Sequence, residues 1–249
     1  MQYPMQRASI FFGVFAASLF FIFASAKNNA TAPVLTATYN DSFAKENTVT
    51  EVDFTSRLYH DMHLENAVLK AEVFTAAVKG MYKLVSEGKV KQSDVITIAD
   101  FSQPSSRKRL YVVDIRNKKN LFNTYVAHGR NSGTLWAKSF SNQNSSLKSS
   151  PGFYTTAETY YGGHGYSLRL DGLEKNINDN ARARAIVMHG APYTNSAAVA
   201  SMGFLGRSWG CPAVPDELTT PIINTIKGST CLFIYTSDDS YQQNSTVLN

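Results

Sequence analysis

The sequence contains few cysteines and few histidines for its length. Its 249 residues include two cysteines, Cys211 and Cys231, which allow at most one internal disulfide bridge. The five histidines show no metal-ligand spacing such as His-x-x-x-His, and no basic run is interleaved with aromatic residues. The 24 Lys and Arg and 19 Asp and Glu are dispersed along the chain and give a formal net charge of +5. We therefore predict no metal, no cofactor and no nucleic-acid partner.

A hydrophobic run long enough to cross a membrane is also missing. A spanning helix needs roughly 20 apolar residues, and the run from Ile10 to Ala24 is shorter than that. Arg7 precedes this run, and the small residues Ala24-Ser25-Ala26 close it. This arrangement predicts a signal peptide over residues 1–26, export, and no membrane span in the mature chain. An uncleaved N-terminal anchor is the alternative.

The remaining chain divides into a leader, a folded domain and a tail. Residues 27–50 are rich in Asn, Thr, Ala and Ser without hydrophobic periodicity, which predicts a flexible leader. Between Leu64 and Val85 apolar residues recur every three or four positions, which predicts an amphipathic helix that packs on the domain. Residues 238–249 are polar, and we predict a flexible tail. The folded domain then spans residues 51–237.

Beyond this helix the pattern changes to short segments rich in β-branched and aromatic residues, separated by turn-forming clusters. Seven such segments predict strands, at residues 95–100, 110–115, 121–127, 152–158, 166–170, 185–189 and 231–236. Because no regular helices intervene, we predict a mainly β fold, a sandwich or barrel, with an N-terminal helix. The polar segment 139–150 is longer than a hairpin needs, and long loops on rigid β scaffolds often carry function.

The two cysteines have different surroundings. Cys231 lies in the apolar segment CLFIY, where a thiol behaves as a small hydrophobic group. Cys211 lies in RSWGCPAVP, where Gly210 permits a turn closed to other residues and Pro212 supplies no backbone N–H. The N–H groups of Cys211, Gly210 and Trp209 are then the local candidates to stabilise an oxyanion. From these residues alone Cys211 is a candidate nucleophile, and a bridge to Cys231 in a non-catalytic envelope-binding module is the alternative.

The candidate base for this thiol is His189. It ends the apolar segment AIVMH, and Gly190 begins a loop, so the imidazole would stand at a strand edge. The segment that separates His189 from Cys211 can fold back so that the two side chains meet.

HGAPY followed by GRSWGCPAV resembles the signature of the L,D-transpeptidase catalytic domain family, the YkuD-like family, in a branch with Gly-Arg-Ser-x-Gly-Cys-Pro-Ala. Other segments are similar to the same branch, namely DFSQPSSRKRLYVVD, YVAHGRNSG, FSN, GHGYSLRLDGLE and RAIVMHGA. The resemblance runs from about Phe54 to Ile234. It implies a YkuD-like β-rich catalytic domain in the periplasm or cell envelope of a bacterium.

The resemblance also implies a substrate and a mechanism. The partners would be peptidoglycan stem peptides, as donor and acceptor. Cys211 would attack the carbonyl of an L-configured centre and expel the terminal D-alanine, leaving a thioester. His189 would take the thiol proton and then activate the acceptor amine. With water as acceptor the same site would be an L,D-carboxypeptidase, and a general cysteine peptidase or amidase is a further alternative.

The sequence departs from the common form of that family around the cysteine. Trp209 stands where His or Arg is usual, Ala213 replaces an Arg, and Ala191 replaces a Thr. Another cation must then meet the donor carboxylate, with Arg207, Arg169 and Arg130 as candidates. The other residues that we expect to bind substrate are Ser208, Gly190, Tyr193, His164 and His128. For His164 and His128, a capping or packing role is the alternative.

Overall fold

The computed structural model describes residues 47–249. In this part of the chain the helices are α1 (Asn47–Asp61), a 3-10 helix (Leu64–Ala67), α2 (Ala71–Ser86), α3 (Ser196–Met202), α4 (Asp216–Ile226) and α5 (Asp239–Asn244). The strands are β1 (Gln92–Asp100), β2 (Leu110–Asp114), β3 (Lys119–Thr124), β4 (Gly152–Gly162), β5 (Gly165–Gly172), β6 (Val187–Gly190), β7 (Ala213–Val214) and β8 (Thr230–Tyr235). The predicted signal peptide and most of the predicted leader lie outside the described residues. None of the described helices is long and apolar enough to cross a membrane.

The strands of residues 47–249 form one eight-stranded mixed sheet in the order β3-β2-β1-β8-β4-β5-β6-β7. The β1–β8 and β6–β7 pairs are parallel, and the other neighbouring pairs are antiparallel. The predicted mainly β fold with an N-terminal helix is therefore confirmed. Each of the seven predicted strand segments overlaps a strand, whereas the two-residue strand β7 was not predicted.

Apolar side chains cover both faces of the sheet. On one face, α2 packs Val73, Phe74, Ala77 and Met81 against a cluster that includes Ile96 and Phe233. The rings of Phe153 and Phe233 stack there with their centroids 4.0 Å apart. On the other face, the isoleucines of α4 pack with Leu168, Met188 and Leu232. The burial of these two clusters, at roughly 25 cal/mol per Å² of apolar surface, is the main stabilising contribution to the fold.

The helical region differs from the single helix that the sequence predicts over Leu64 to Val85. A 3-10 helix occupies Leu64–Ala67, and α2 begins only at Ala71. The residues at the two ends of the 3-10 helix, His63 and Val68, have left-handed backbone angles with φ of 50° and 62°. An amphipathic pattern continues through such a break, because the apolar residues on either side of it still face the same core.

The C-terminal segment, which the sequence predicts to be flexible, packs on the domain. Asp238 caps α5 by accepting from the N–H of Tyr241, whose side chain is only 3% exposed. The buried carboxylate of Glu174 accepts from the N–H of Phe153 at 2.8 Å, from the hydroxyl of Tyr241 at 3.2 Å and from the hydroxyl of Ser245. Polar composition alone misses these few anchoring residues. At the other end, residues 47–50 of the predicted leader belong to α1.

Candidate active site

The sheet brings the segments of His189 and Cys211 together at one edge. His189 pairs with Ser167 of β5 on one side and with Ala213 of β7 on the other. Cys211 lies two residues before Ala213, and its Sγ lies 3.5 Å from the N–H of Val187 and 3.7 Å from the carbonyl oxygen of Ala185. The thiol therefore contacts the beginning of the strand that carries His189. Within residues 47–249 no hydrogen bond joins the His189 ring to Sγ.

Both cysteines are free, which contradicts the disulfide alternative. Cys231 is fully buried in β8, in register with Ile96 of β1 and Thr155 of β4. Three strands, β4, β5 and β6, separate β8 from the edge where Cys211 lies. Burial raises the pKa of the Cys211 thiol, while the N–H of Val187 and the charge of Arg184 act in the opposite direction. Cys211 is half-buried, so a reagent can reach it.

Ser208 holds the turn that precedes the thiol. Its hydroxyl donates to the carbonyl oxygen of Cys211 at 2.6 Å and accepts from the N–H of Gly210 at 3.1 Å. Gly210 has φ of 127°, a conformation that favours glycine. Because the Gly210 N–H is occupied, it is not an available oxyanion donor in this conformation. Among the described residues, the N–H of Trp209 donates to no protein atom, and the N–H of Cys211 interacts only with its own thiol, so these two groups remain as candidate donors for an oxyanion.

The surroundings of His189, the candidate base, favour the neutral imidazole. Its Nδ1 lies 2.7 Å from the carbonyl oxygen of Gly190, and a carbonyl can only accept, so Nδ1 carries the proton and the neutral ring presents a lone pair at Nε2. Burial lowers the pKa of His189, the bond to Gly190 partly opposes this, and the neighbouring His164 lowers the pKa further. The side chain is 2% exposed.

His164 reaches the site from the tip of the β4–β5 hairpin. Gly162 and Gly165 pair at the end of the two strands, and His164 lies in the turn between them. Its exposed ring stacks on the His189 ring with centroids 4.2 Å apart and an interplanar angle of 22°. The structure therefore places His164 against the candidate base.

Two further predicted residues lie beside the thiol. Burial is the main cause that raises the pKa of Tyr193 to about 12, and Cys211 and Asp216 add to it, so the phenol stays protonated and able to donate. Trp209, which precedes Gly210 and Cys211, is 74% exposed and so is not part of the core. Gly190 has a packing role, because a Cβ there would lie 2.5 Å from both Oδ1 of Asp216 and Oγ1 of Thr219 in α4.

His128 lies behind the site and is fully buried, so it is not placed to contact a substrate. Its Nδ1 lies 2.7 Å from Nη2 of Arg109, which can only donate, and its Nε2 lies 3.2 Å from the carbonyl oxygen of Gly133. Burial, with the charge of Arg109, lowers the pKa of His128 to about 4. The backbone carbonyl of His128 accepts from the N–H of Ser208 at 3.0 Å, so this residue supports the turn of the thiol.

A family model described as the L,D-transpeptidase catalytic domain matches residues 65–235. The chain belongs to the L,D-transpeptidase catalytic domain family. No curated protein matches this sequence.

Solved structures, two of them of L,D-transpeptidases, resemble the chain at low sequence identity. The L,D-transpeptidase from Mycobacterium smegmatis is 12% identical with a TM-score of 0.37, over 57% of this chain and 59% of that one. L,D-transpeptidase 3 from Mycobacterium tuberculosis is 13% identical with a TM-score of 0.37, over 57% of this chain and 61% of that one. The helical cell shape determining protein Pgp2 from Campylobacter jejuni is 13% identical with a TM-score of 0.40, over 70% and 61%. The chain thus spans less than two thirds of the length of these structures.

In this L,D-transpeptidase family member the three arginines that the sequence suggested are not directed at the thiol. Arg169 pairs with Glu158 at 3.1 Å and lies over the Tyr160 ring. Arg207 is exposed, and its Nη1 lies 3.3 Å from the carbonyl oxygens of Arg130 and Gly133. Arg130 meets the segment before Cys211 through its backbone, since its N–H donates to the carbonyl oxygen of Ser208 at 2.8 Å.

Arg184 is the cation beside the thiol, and the sequence interpretation missed it. Its Nη1 donates to the carbonyl oxygen of Ser141 at 2.8 Å and to Oγ of Ser150. Its Nη2 donates to the carbonyl oxygen of Lys148 at 2.6 Å and to Oγ of Ser146 at 3.2 Å. The sequence feature that could have indicated Arg184 is its position in the segment ARARAIVMH, directly before the strand of His189.

Proposed function

We propose that this protein is an exported cysteine acyltransferase of the bacterial periplasm or cell envelope, an L,D-transpeptidase acting on peptidoglycan stem peptides. Two observations support the proposal together. The thiol of Cys211 is free and half-buried, and it contacts Val187, the first residue of β6. His189 lies on the same strand, and its Nε2 lone pair is available. Membership of the L,D-transpeptidase catalytic domain family supports the same assignment.

The first half of the reaction acylates the enzyme. Cys211 loses its proton to Nε2 of His189, and Sγ attacks the carbonyl carbon of an L-configured centre in the donor stem peptide. The N–H groups of Trp209 and Cys211 receive the oxyanion. The C–N bond to the terminal D-alanine then breaks, the imidazolium returns the proton to the leaving amine, and a thioester on Cys211 remains.

Before this step the thiol must turn towards the imidazole, because it contacts Ala185 and Val187 in the structure. Hydrogen bonds of a catalytic pair commonly tighten only when the substrate is bound.

The second half transfers the acyl group to an acceptor amine. Nε2 of His189 removes a proton from the amine of a second stem peptide as the nitrogen attacks the thioester carbon. The C–S bond breaks, the thiolate of Cys211 is regenerated, and an amide cross-link is formed. His189 is 2% exposed and its ring is stacked on that of His164, so an acceptor can reach the base only from the side of the thiol or after His164 moves. An amine acceptor makes the reaction a transpeptidation, and water in its place makes it an L,D-carboxypeptidase reaction.

The test is to incubate residues 27–249 with a muropeptide whose tetrapeptide stem ends in D-alanine. We expect released D-alanine together with a cross-linked dimer from the wild type and from Cys231→Ala, and neither product from Cys211→Ala. D-alanine without the dimer would replace transpeptidation by carboxypeptidase activity. Cleavage of an all-L peptide, or no reaction from folded wild type with a free thiol, would overturn the proposal.

A further inference from the structure

The environment of Cys211 is unfavourable for a thiolate unless a cation lies near it. Burial raises the pKa of this thiol, whereas nucleophilic attack requires the deprotonated form. The titratable groups that interact with it are Arg184, from the segment before β6, and Tyr193, from the loop after β6. His189 lies on β6, whose first residue, Val187, contacts the thiol. Asp216 at the start of α4 acts on His189 and Tyr193. Of these groups only Arg184 carries a fixed positive charge.

Arg184 contacts the cysteine turn directly. It precedes Ala185, whose carbonyl oxygen lies 3.7 Å from Sγ. Its Nη2 lies 3.3 Å from the point that a Cβ on Gly210 would occupy, and Gly210 precedes Cys211. The guanidinium thus occupies the space beside the turn that glycine leaves open.

The charge of Arg184 is not neutralised by a carboxylate. Its four recorded hydrogen bonds go to two backbone carbonyl oxygens and two serine hydroxyls of segment 141–150. In residues 47–249 no Asp or Glu forms an ion pair with it, whereas the nearby Arg182 is paired with both Glu158 and Asp171. A fixed cation without a counter-ion, half-buried next to a thiol, attracts negative charge more strongly than an exposed pair would.

We propose that Arg184 is the positioning residue of the nucleophile: clamped by segment 141–150, its uncompensated charge stabilises the Cys211 thiolate. The inference deepens the proposed function and rests on it for the use of that thiolate. It also gives the long polar loop a role, because the loop oxygens fix the guanidinium against the turn. The positive charge that the sequence lacks at Ala213 is then supplied from the segment before β6.

The test is the rate at which iodoacetamide alkylates Cys211 as a function of pH, followed by intact mass. In this reaction the thiolate displaces iodide and needs no peptidoglycan, so a failure here is distinguishable from a failure in the D-alanine assay. We expect Arg184→Met to raise the apparent pKa of the thiol by about one unit, and so to slow alkylation about tenfold at neutral pH. Arg184→Lys keeps the positive charge but lacks the planar guanidinium that donates several hydrogen bonds. We expect it to retain most of the wild-type alkylation rate. Arg182→Met, which removes a neighbouring paired arginine, is expected to match the wild type.

An unchanged pH midpoint in folded Arg184→Met would overturn the proposal. If this variant does not fold, the wild type decides the question through the ratio of its alkylation rates with anionic iodoacetate and neutral iodoacetamide. We expect this ratio to exceed that of a neutral free thiol such as N-acetylcysteine amide, because an uncompensated cation attracts the anionic reagent. A ratio equal to or below that of the neutral thiol would contradict the inference.

Discussion

Replacing Gly210 by alanine tests whether the cysteine turn depends on this residue. Gly210 has φ of 127°, and a Cβ there would lie 2.7 Å from the carbonyl oxygen of Lys148. Such backbone strain costs about 1–3 kcal/mol, and overpacking costs a similar amount. The Lys148 carbonyl is also bonded to Arg184, so it cannot retreat freely. We expect Gly210→Ala to lower the free energy of unfolding by about 2–6 kcal/mol.

Alanine substitutions at two other glycines distinguish the cost of backbone strain from the cost of overpacking. A Cβ on Gly88 would meet nothing within 4 Å, but its φ is 69°, so Gly88→Ala introduces strain alone. A Cβ on Gly163 would also meet nothing, and its φ lies outside the left-handed region, so Gly163→Ala introduces neither effect. We expect a loss of about 1–2 kcal/mol for Gly88→Ala and of less than about 0.5 kcal/mol for Gly163→Ala.

Urea denaturation measures these differences. With a slope of about 2 kcal/mol per M, the urea midpoint of Gly210→Ala should fall by about 1–3 M. Alkylation of Cys211 should also slow in this variant, because the turn must shift, and should not change in Gly88→Ala. If Gly210→Ala unfolds at the same urea concentration as Gly163→Ala, the reasoning about this turn is wrong.

Three other predictions concern titratable side chains. His164→Ala should raise the pKa of His189 and move the acid limb of the acylation pH profile upwards, whereas His164→Phe, which keeps the stacked ring, should shift it less. The pKa of His128 is lowered to about 4 in the folded state, so the neutral ring contributes at most about 3 kcal/mol to stability. This contribution is complete above about pH 6.5 and is lost as the pH falls towards 4. In urea titrations, the free energy of unfolding should therefore fall less between pH 7 and pH 4.5 for His128→Asn than for the wild type. Glu174→Gln replaces one accepting oxygen by an NH₂ group, which cannot accept from the buried donors around it. This change should lower the free energy of unfolding by about 1–3 kcal/mol. An unchanged melting temperature would contradict this expectation.

The strands were predictable because each one carries its own signal. β-branched and aromatic segments separated by turn residues mark β1 to β6 and β8 locally. Their order in the sheet was not predictable, since β8 inserts between β1 and β4, and such long-range pairing leaves no local pattern. Helix α4 was missed because Pro221 lies inside it, and proline normally argues against a helix.

The candidate site was predictable where a motif surrounds the chemistry. The resemblance of HGAPY and GRSWGCPAV to the family signature pointed to Cys211 and His189 as candidates, and the register of β6 with β7 brings their segments together. The contacts of Arg184 come from a loop more than 30 residues earlier in the chain, as its partners Ser141 and Ser150 show. No spacing rule connects these residues, so only the fold reveals the contact.

The most direct test of the central claim is intact-mass spectrometry after incubation with a carbapenem, whose strained lactam carbonyl a thiolate opens to give a thioester. The wild type and Cys231→Ala should each gain the mass of one whole carbapenem, and Cys211→Ala should gain nothing. An adduct on Cys211→Ala, or none on folded wild type whose thiol titrates as free, would contradict the assignment of Cys211 as the acylating nucleophile.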